Sequence, residues 1–175
     1  MRTSTSIGIL AIGLAAAVGG SLTVGSALVA SAAPKGPSYS GVVVLHLTAE
    51  AEQFAVIDVG SKGPGLGLGD QIVSSDRLSR FGKPAGRAGT VMTVVGTGPS
   101  ILTTQVLTTL DLPGGQVILQ GVGDGPTGPP TEPVKFSLAV TGGTGGYRNA
   151  RGYADIIDRP GGTEIITVRL AGNTQ

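Results

Sequence analysis

The stretch VTGGTGGYRNARGYADIID, Val140–Asp158, decides the fold. It reads as the end of a buried strand, a corner, and a second strand opening near Arg151. Four of the five residues from Gly142 to Gly146 are glycine. Glycine reaches positive φ without steric cost and lets another backbone come close. A corner so bare of side chains predicts a chain turning sharply at the rim of a curved sheet. The run Tyr147, Arg148, Arg151, Tyr153 then re-enters that sheet.

Outward from the corner, the chain divides into short apolar and threonine-rich runs separated by Gly/Pro turns. Val134 to Val140 alternates, with Val134, Phe136, Leu138 and Val140 on one face. Arg151 to Ile157 and Glu164 to Leu170 follow as strands about the turn Arg159-Pro-Gly-Gly. Upstream, Gly41 to Thr48, Phe54 to Val59, Asp70 to Leu78, Arg87 to Gly96, Ser100 to Asp111 and Gln116 to Val122 read as strands. Ala49 to Gln53 is expected as a turn. Ser61 to Asp70, Arg80 to Gly86 and Asp124 to Pro133 are expected as loops. The result is eight or nine strands at hairpin spacing with no amphipathic helix, which means an antiparallel barrel or sandwich.

The 175 residues suit one domain. Residues 1–32 read as a signal peptide: Arg2 is the sole charge, Ile7 to Ala30 is apolar and small, and Ala30-Ser31-Ala32 offers a cleavage site. A retained anchor is the other reading of that run. Residues 33–40 form a Pro/Gly/Ser lead expected to lack order, and residues 41–175 the folded domain. Without the leader, basic and acidic residues balance, so neither nucleic acid nor an anionic membrane is expected as partner. One histidine and no cysteine exclude a disulfide framework and the usual zinc or copper sets. Glycine-rich Ser61–Asp70 lacks the Gly-Lys-Ser/Thr of a phosphate loop. A Ser-His-Asp triad would have to use His46, which sits inside an apolar strand and reads more simply as a hydrogen-bonded sheet histidine. Asp155 and Asp158 are three apart on a strand and point to opposite faces, whereas Asp155 shares its face with Arg151 and Tyr153. An Arg151–Asp155 ion pair is the plain structural reading, and a polar cluster orienting a ligand at a lumen mouth the functional one.

The corner also carries a resemblance. GGTGGYRNARGYA is similar to the GGTGxFxxARGxA signature of dirigent proteins, relatives of the allene oxide cyclase barrels. Leu45-His46, Ser75 to Ser79 and Gly86-Arg87-Ala88 resemble further family segments in the same order. The resemblance spans roughly residues 41–171 and implies an eight-stranded antiparallel β-barrel of the allene oxide cyclase/dirigent type. It implies Asp76, Arg87 and Arg151 as residues acting on a bound intermediate. From the residues themselves, His46, Tyr147, Tyr153 and Asp155 are expected as ligand contacts. The family's Asp-Asp pair is Ser75-Asp76 here, and Gly146 stands where many dirigents carry Asp.

The function expected is therefore that of a secreted barrel holding an apolar small molecule. Without metal or cofactor, it would steer a cyclisation or coupling by confinement. A non-catalytic carrier or structural barrel is the alternative. A dimer or trimer is the expected assembly, and a sugar-binding barrel ranks low because only three Tyr and three Phe occur.

Overall fold

A computed structural model describes residues 42–60 and 65–171. The signal peptide and lead expected at residues 1–40 lie outside the described residues. The strands are β1 (Val43–Ile57), β2 (Gln71–Arg80), β3 (Lys83–Thr97), β4 (Ile101–Leu112), β5 (Gly115–Pro126), β6 (Val134–Gly143), β7 (Arg151–Arg159) and β8 (Thr163–Ala171). One 3-10 turn, Gly145–Tyr147, lies in the corner between β6 and β7. Each strand pairs antiparallel with its sequence neighbour, and β1 pairs with β8, so the sheet closes into a barrel. Closure limits the open edge, where strand-to-strand aggregation could start, to the stretch where β5 and β6 part.

Two expected breaks are not there. Ala49 to Gln53 is not a turn: β1 runs straight through it, with a register shift between Ala51 and Gln53 against β2. The bulge inserts Glu52, which faces outward to bond Arg77 at 2.6 Å, and the strand bends without ending. Arg80 to Gly86 is likewise no loop but a two-residue turn at Phe81-Gly82, both at positive φ, with β3 already paired from Lys83. The expected loop after β5 begins later, because that strand continues to Pro126.

The barrel has two unlike ends. Leu45, Leu47, Leu78, Leu110, Val117, Leu119, Leu138, Val140, Val168 and Leu170 are buried together and fill the half that holds the glycine corner. There the corner sits on the β4–β5 turn through backbone groups and the Thr144 hydroxyl. Gly146 N–H donates to Gly114 O at 2.8 Å, Thr144 N–H to Gln116 O at 2.9 Å, and Gln116 N–H to Thr144 Oγ1 at 3.0 Å. A Cβ on Gly115 would enter the Thr144 carbonyl, and one on Gly145 the Gly114 carbonyl. Both glycines have positive φ, at 141° and 56°. That double demand, on φ and on space, is why the stretch is glycine.

The other half is open. The β5–β6 ladder covers only Val117–Gln120 against Ala139–Gly143, so these strands part toward the far end. The inward positions of β5 beyond that point are Gly121, Gly123 and Gly125. Phe54 and Val56 pair with Ser74 and Ile72 on the inner face, yet are 65% and 50% exposed. Inward-facing apolar side chains open to water mark the mouth.

Candidate functional site

The alternation that buries Leu78 and Leu138 also fixes what lines the lumen. Asp76 is two residues from Leu78 and is buried, and its partners Ala51 and Ala88 share its face. Asp158 and Glu164 face each other across the β7–β8 ladder, in phase with buried Ile156 and Ile166. Ala49, the partner of Glu164 on β1, is one inward step from Ala51, the partner of Asp76. Three carboxyl groups therefore converge on one wall above the packed half. Ser74, Thr90, Met92, Thr104 and Phe136 complete the inner surface toward the mouth. Ser74 Oγ donates to Asp76 at 3.2 Å, and the Thr90 and Thr108 hydroxyls bond at 3.0 Å. The Phe136 ring lies against the bare backbone of Gly123.

The electrostatics follow from this crowding. Burial pushes the Asp76 carboxyl up, Ser74 opposes it through its hydrogen bond, and the Glu52 charge adds to the rise. Burial also raises Asp158. Glu164 is pushed up to about 7, first by burial and then by the charges of Asp158 and Asp76. A carboxyl poised there can both give and take a proton near neutrality, as general acid–base catalysis requires. Among the described residues, no group of three or more His, Cys, Asp or Glu is disposed to hold a metal.

Of the sequence-predicted residues, Asp76 faces the lumen. Arg151, Tyr153 and Asp155, expected as a polar cluster at the lumen mouth, lie on the outer wall, because odd positions of β7 and β8 point away from Ala154 and Val168. Asp155 pairs there with Arg169, not with Arg151 as expected, and accepts from Ser137 Oγ at 2.7 Å. Ser137 and Arg169 hold it below the usual carboxylate range. The Arg169 guanidinium also lies 5.3 Å from the Tyr153 ring centre, and His46 Nδ1 is 3.4 Å from Thr167 Oγ1 on the same outer face. Arg87 is exposed on the outside, opposite Arg77 and Asp111. Arg151 donates to the carbonyls of Ala150 at 2.7 Å and Thr141 at 3.2 Å, so it fastens the corner. Tyr147 is half-buried against the packed core at the closed end.

Sequence reasoning passed over Asp158 and Glu164. The signal was present: Ile156-x-Asp158 and Glu164-x-Ile166-x-Val168-x-Leu170 each keep one phase, which places both acids on the apolar face.

No family model and no curated protein sequence matches the chain. Solved structures do match. A pyocyanin demethylase shares 28% identity at a TM-score of 0.62, over 74% of this chain and 100% of that one. A pterocarpan synthase dirigent protein shares 18% identity at a TM-score of 0.56, over 77% of this chain and 86% of that one. A Diels–Alderase from Streptomyces koyangensis shares 17% identity at 0.56, over 75% and 64% respectively.

Proposed function

Starting from a chain whose fold is that of the dirigent and allene oxide cyclase-like barrels, we propose that it takes an apolar small molecule into its lumen and performs acid–base chemistry on it there. Export, read from residues 1–32, is the proposed setting. The observation that carries the reading is the meeting of Asp76, Asp158 and Glu164 on the inner wall of an open half-barrel whose remaining lining mixes apolar side chains with the hydroxyls of Ser74, Thr90 and Thr104. An enclosed apolar surface with a few convergent polar groups is the usual form of a small-molecule site. In this reading, Met92, Phe136, Phe54 and Val56 hold the guest in one orientation. Such confinement alone can lower a barrier by roughly 7–11 kcal/mol. Glu164 is the group that exchanges a proton with the guest, and Asp76, steadied by Ser74, is its partner across the wall. Arg87 and Arg151, on the outer surface, have no part in it. The demethylase, by its name, acts on pyocyanin, which makes that compound the first substrate to test.

The test has two stages. Full-length protein is titrated with the neutral fluorophore N-phenyl-1-naphthylamine, and Thr90→Trp, which plugs the lumen, should abolish a one-to-one uptake. Uptake indifferent to that plug would sink the lumen site. Pyocyanin consumption is then followed by absorbance. Asp76→Asn and Glu164→Gln should each slow it by roughly a hundredfold, the scale of a lost acid–base group. Uptake without consumption of any offered guest would leave a carrier.

A further inference from the structure

The charges inside the barrel are all of one sign. Asp76, Asp158 and Glu164 face the lumen, and among the described residues every Lys, Arg and His lies on the outer wall, in a turn or, like Arg80 and Lys83, at the exposed strand ends beside the β2–β3 turn. Arg77, Arg87, Lys135, Arg151 and Arg159 are exposed, and Arg169 is engaged by Asp155 on the outer face. Such a separation is costly. Like charges directly opposite on paired strands, as Asp158 and Glu164 are, have Cβ atoms only about 5 Å apart and destabilise the sheet. A buried carboxylate ordinarily finds a cation or several N–H donors, yet the hydrogen bond seen for the lumen face of Asp76 comes from one serine. A guest, in contrast, can supply the missing charge. Around the acids, apolar and aromatic side chains stand among the Ser74, Thr90 and Thr104 hydroxyls, with Phe136 and Met92 packed against the core and Phe54 at the lip. An aromatic face attracts a desolvated cation through its quadrupole.

Resting on the lumen site proposed above, we infer that its preferred guest is an apolar organic cation, such as a quaternised or protonated aromatic amine. The carboxyl wall provides its counter-charge. Neutral and anionic guests of the same shape are discriminated against, the anions most strongly because they meet three like charges. The repulsion that drives up the Glu164 pKa is the same repulsion a bound cation would relieve, so uptake near neutrality should expel a proton from this group.

Acridine and N-methylacridinium share one ring system and differ in charge at mildly alkaline pH. Fluorescence titration of full-length protein with each should show the cation held tighter by on the order of tenfold, equivalent to about 1.4 kcal/mol. In Asp158→Asn/Glu164→Gln that preference should vanish while acridine binding persists. Asp111→Asn, an acid removed from the outer wall, should leave it unchanged. Equal or tighter binding of neutral acridine overturns the charge inference and leaves the lumen site standing. Failure of both probes overturns the lumen site itself, and a preference that survives the double substitution places the cation elsewhere.

Discussion

Glu164 shows how one residue can couple stability to pH. Its carboxyl titrates at about 7 in the folded chain, against 4.5 when free, because burial and two neighbouring acids oppose its ionisation. A raised carboxylate means that the folded state binds more protons than the unfolded one between those two values. Ionisation therefore weakens the fold as pH rises toward and past about 7, and the loss is relieved as pH falls. The full difference corresponds to about 3 kcal/mol as an upper bound. Glu164→Gln should accordingly raise the melting temperature at pH just above neutrality and flatten its decline between mildly acidic and mildly alkaline buffer. A variant melting lower than the parent across that range would contradict the crowding described for this wall. Asp155 offers a contrast: also an acid on β7, it faces water, Ser137 and Arg169, and is held low. One step back along the strand from this solvated, paired carboxylate is buried Ala154, and three steps forward is the half-buried, crowded carboxyl of Asp158.

At the scale of elements, the decisive contact is the glycine corner against the β4–β5 turn. Gly115→Ala must both strain a positive φ and displace the Thr144 carbonyl, so it should cost several kcal/mol, beyond the ~1–3 kcal/mol of backbone strain alone. Gly114→Ala, at φ 98° but with nothing within 4 Å of the added carbon, should cost only the strain. Urea unfolding of the pair separates the two terms, and equal losses would mean that the corner does not rest on this turn. The loop between β1 and β2 is organised differently. Asp70, 1% exposed, accepts from Val59 N–H at 2.9 Å and Gly67 N–H at 2.8 Å, clasping both arms of the loop that borders the mouth. The Phe81-Gly82 turn explains why Arg80 to Gly86 reads as a loop in the sequence. Two-residue hairpins of this type want Asn-Gly or Asp-Gly, and a phenylalanine at φ 52° carries none of that signal.

Across the whole molecule, one barrel is divided into a packed half and an open half. Leu78 and Leu119 are fully buried at the closed end, so replacing either with Ala should cost about 2–5 kcal/mol. Phe54 at the lip is 65% exposed, so Phe54→Ala should cost well under 1 kcal/mol in urea unfolding while weakening guest uptake. Comparable destabilisation by Phe54→Ala would mean that the lip belongs to the packed core. Without a cysteine in the chain, the closed half and the hydrogen-bonded ring of strands carry the stability with no help from disulfides.

Local pattern was enough to mark most strands, the glycine corner and the separation of Asp155 from Asp158, because period-two alternation and glycine's φ freedom are properties of a few adjacent residues. Pattern also holds the phase of Glu164 with Leu170, but phase is relative: it says which residues share a face, not which face turns inward. Only closure of β1 on β8 decided that, sending Arg151, Tyr153 and Asp155 to water and Asp76, Asp158 and Glu164 to the lumen. The bulge at Glu52 shifts β1 by one residue, so Phe54 and Val56 rejoin the face of Leu45 and Leu47, a continuity visible only once β2 is paired beside it. The acid wall is built from strands far apart in sequence, and its charge crowding exists because tertiary structure brings them together.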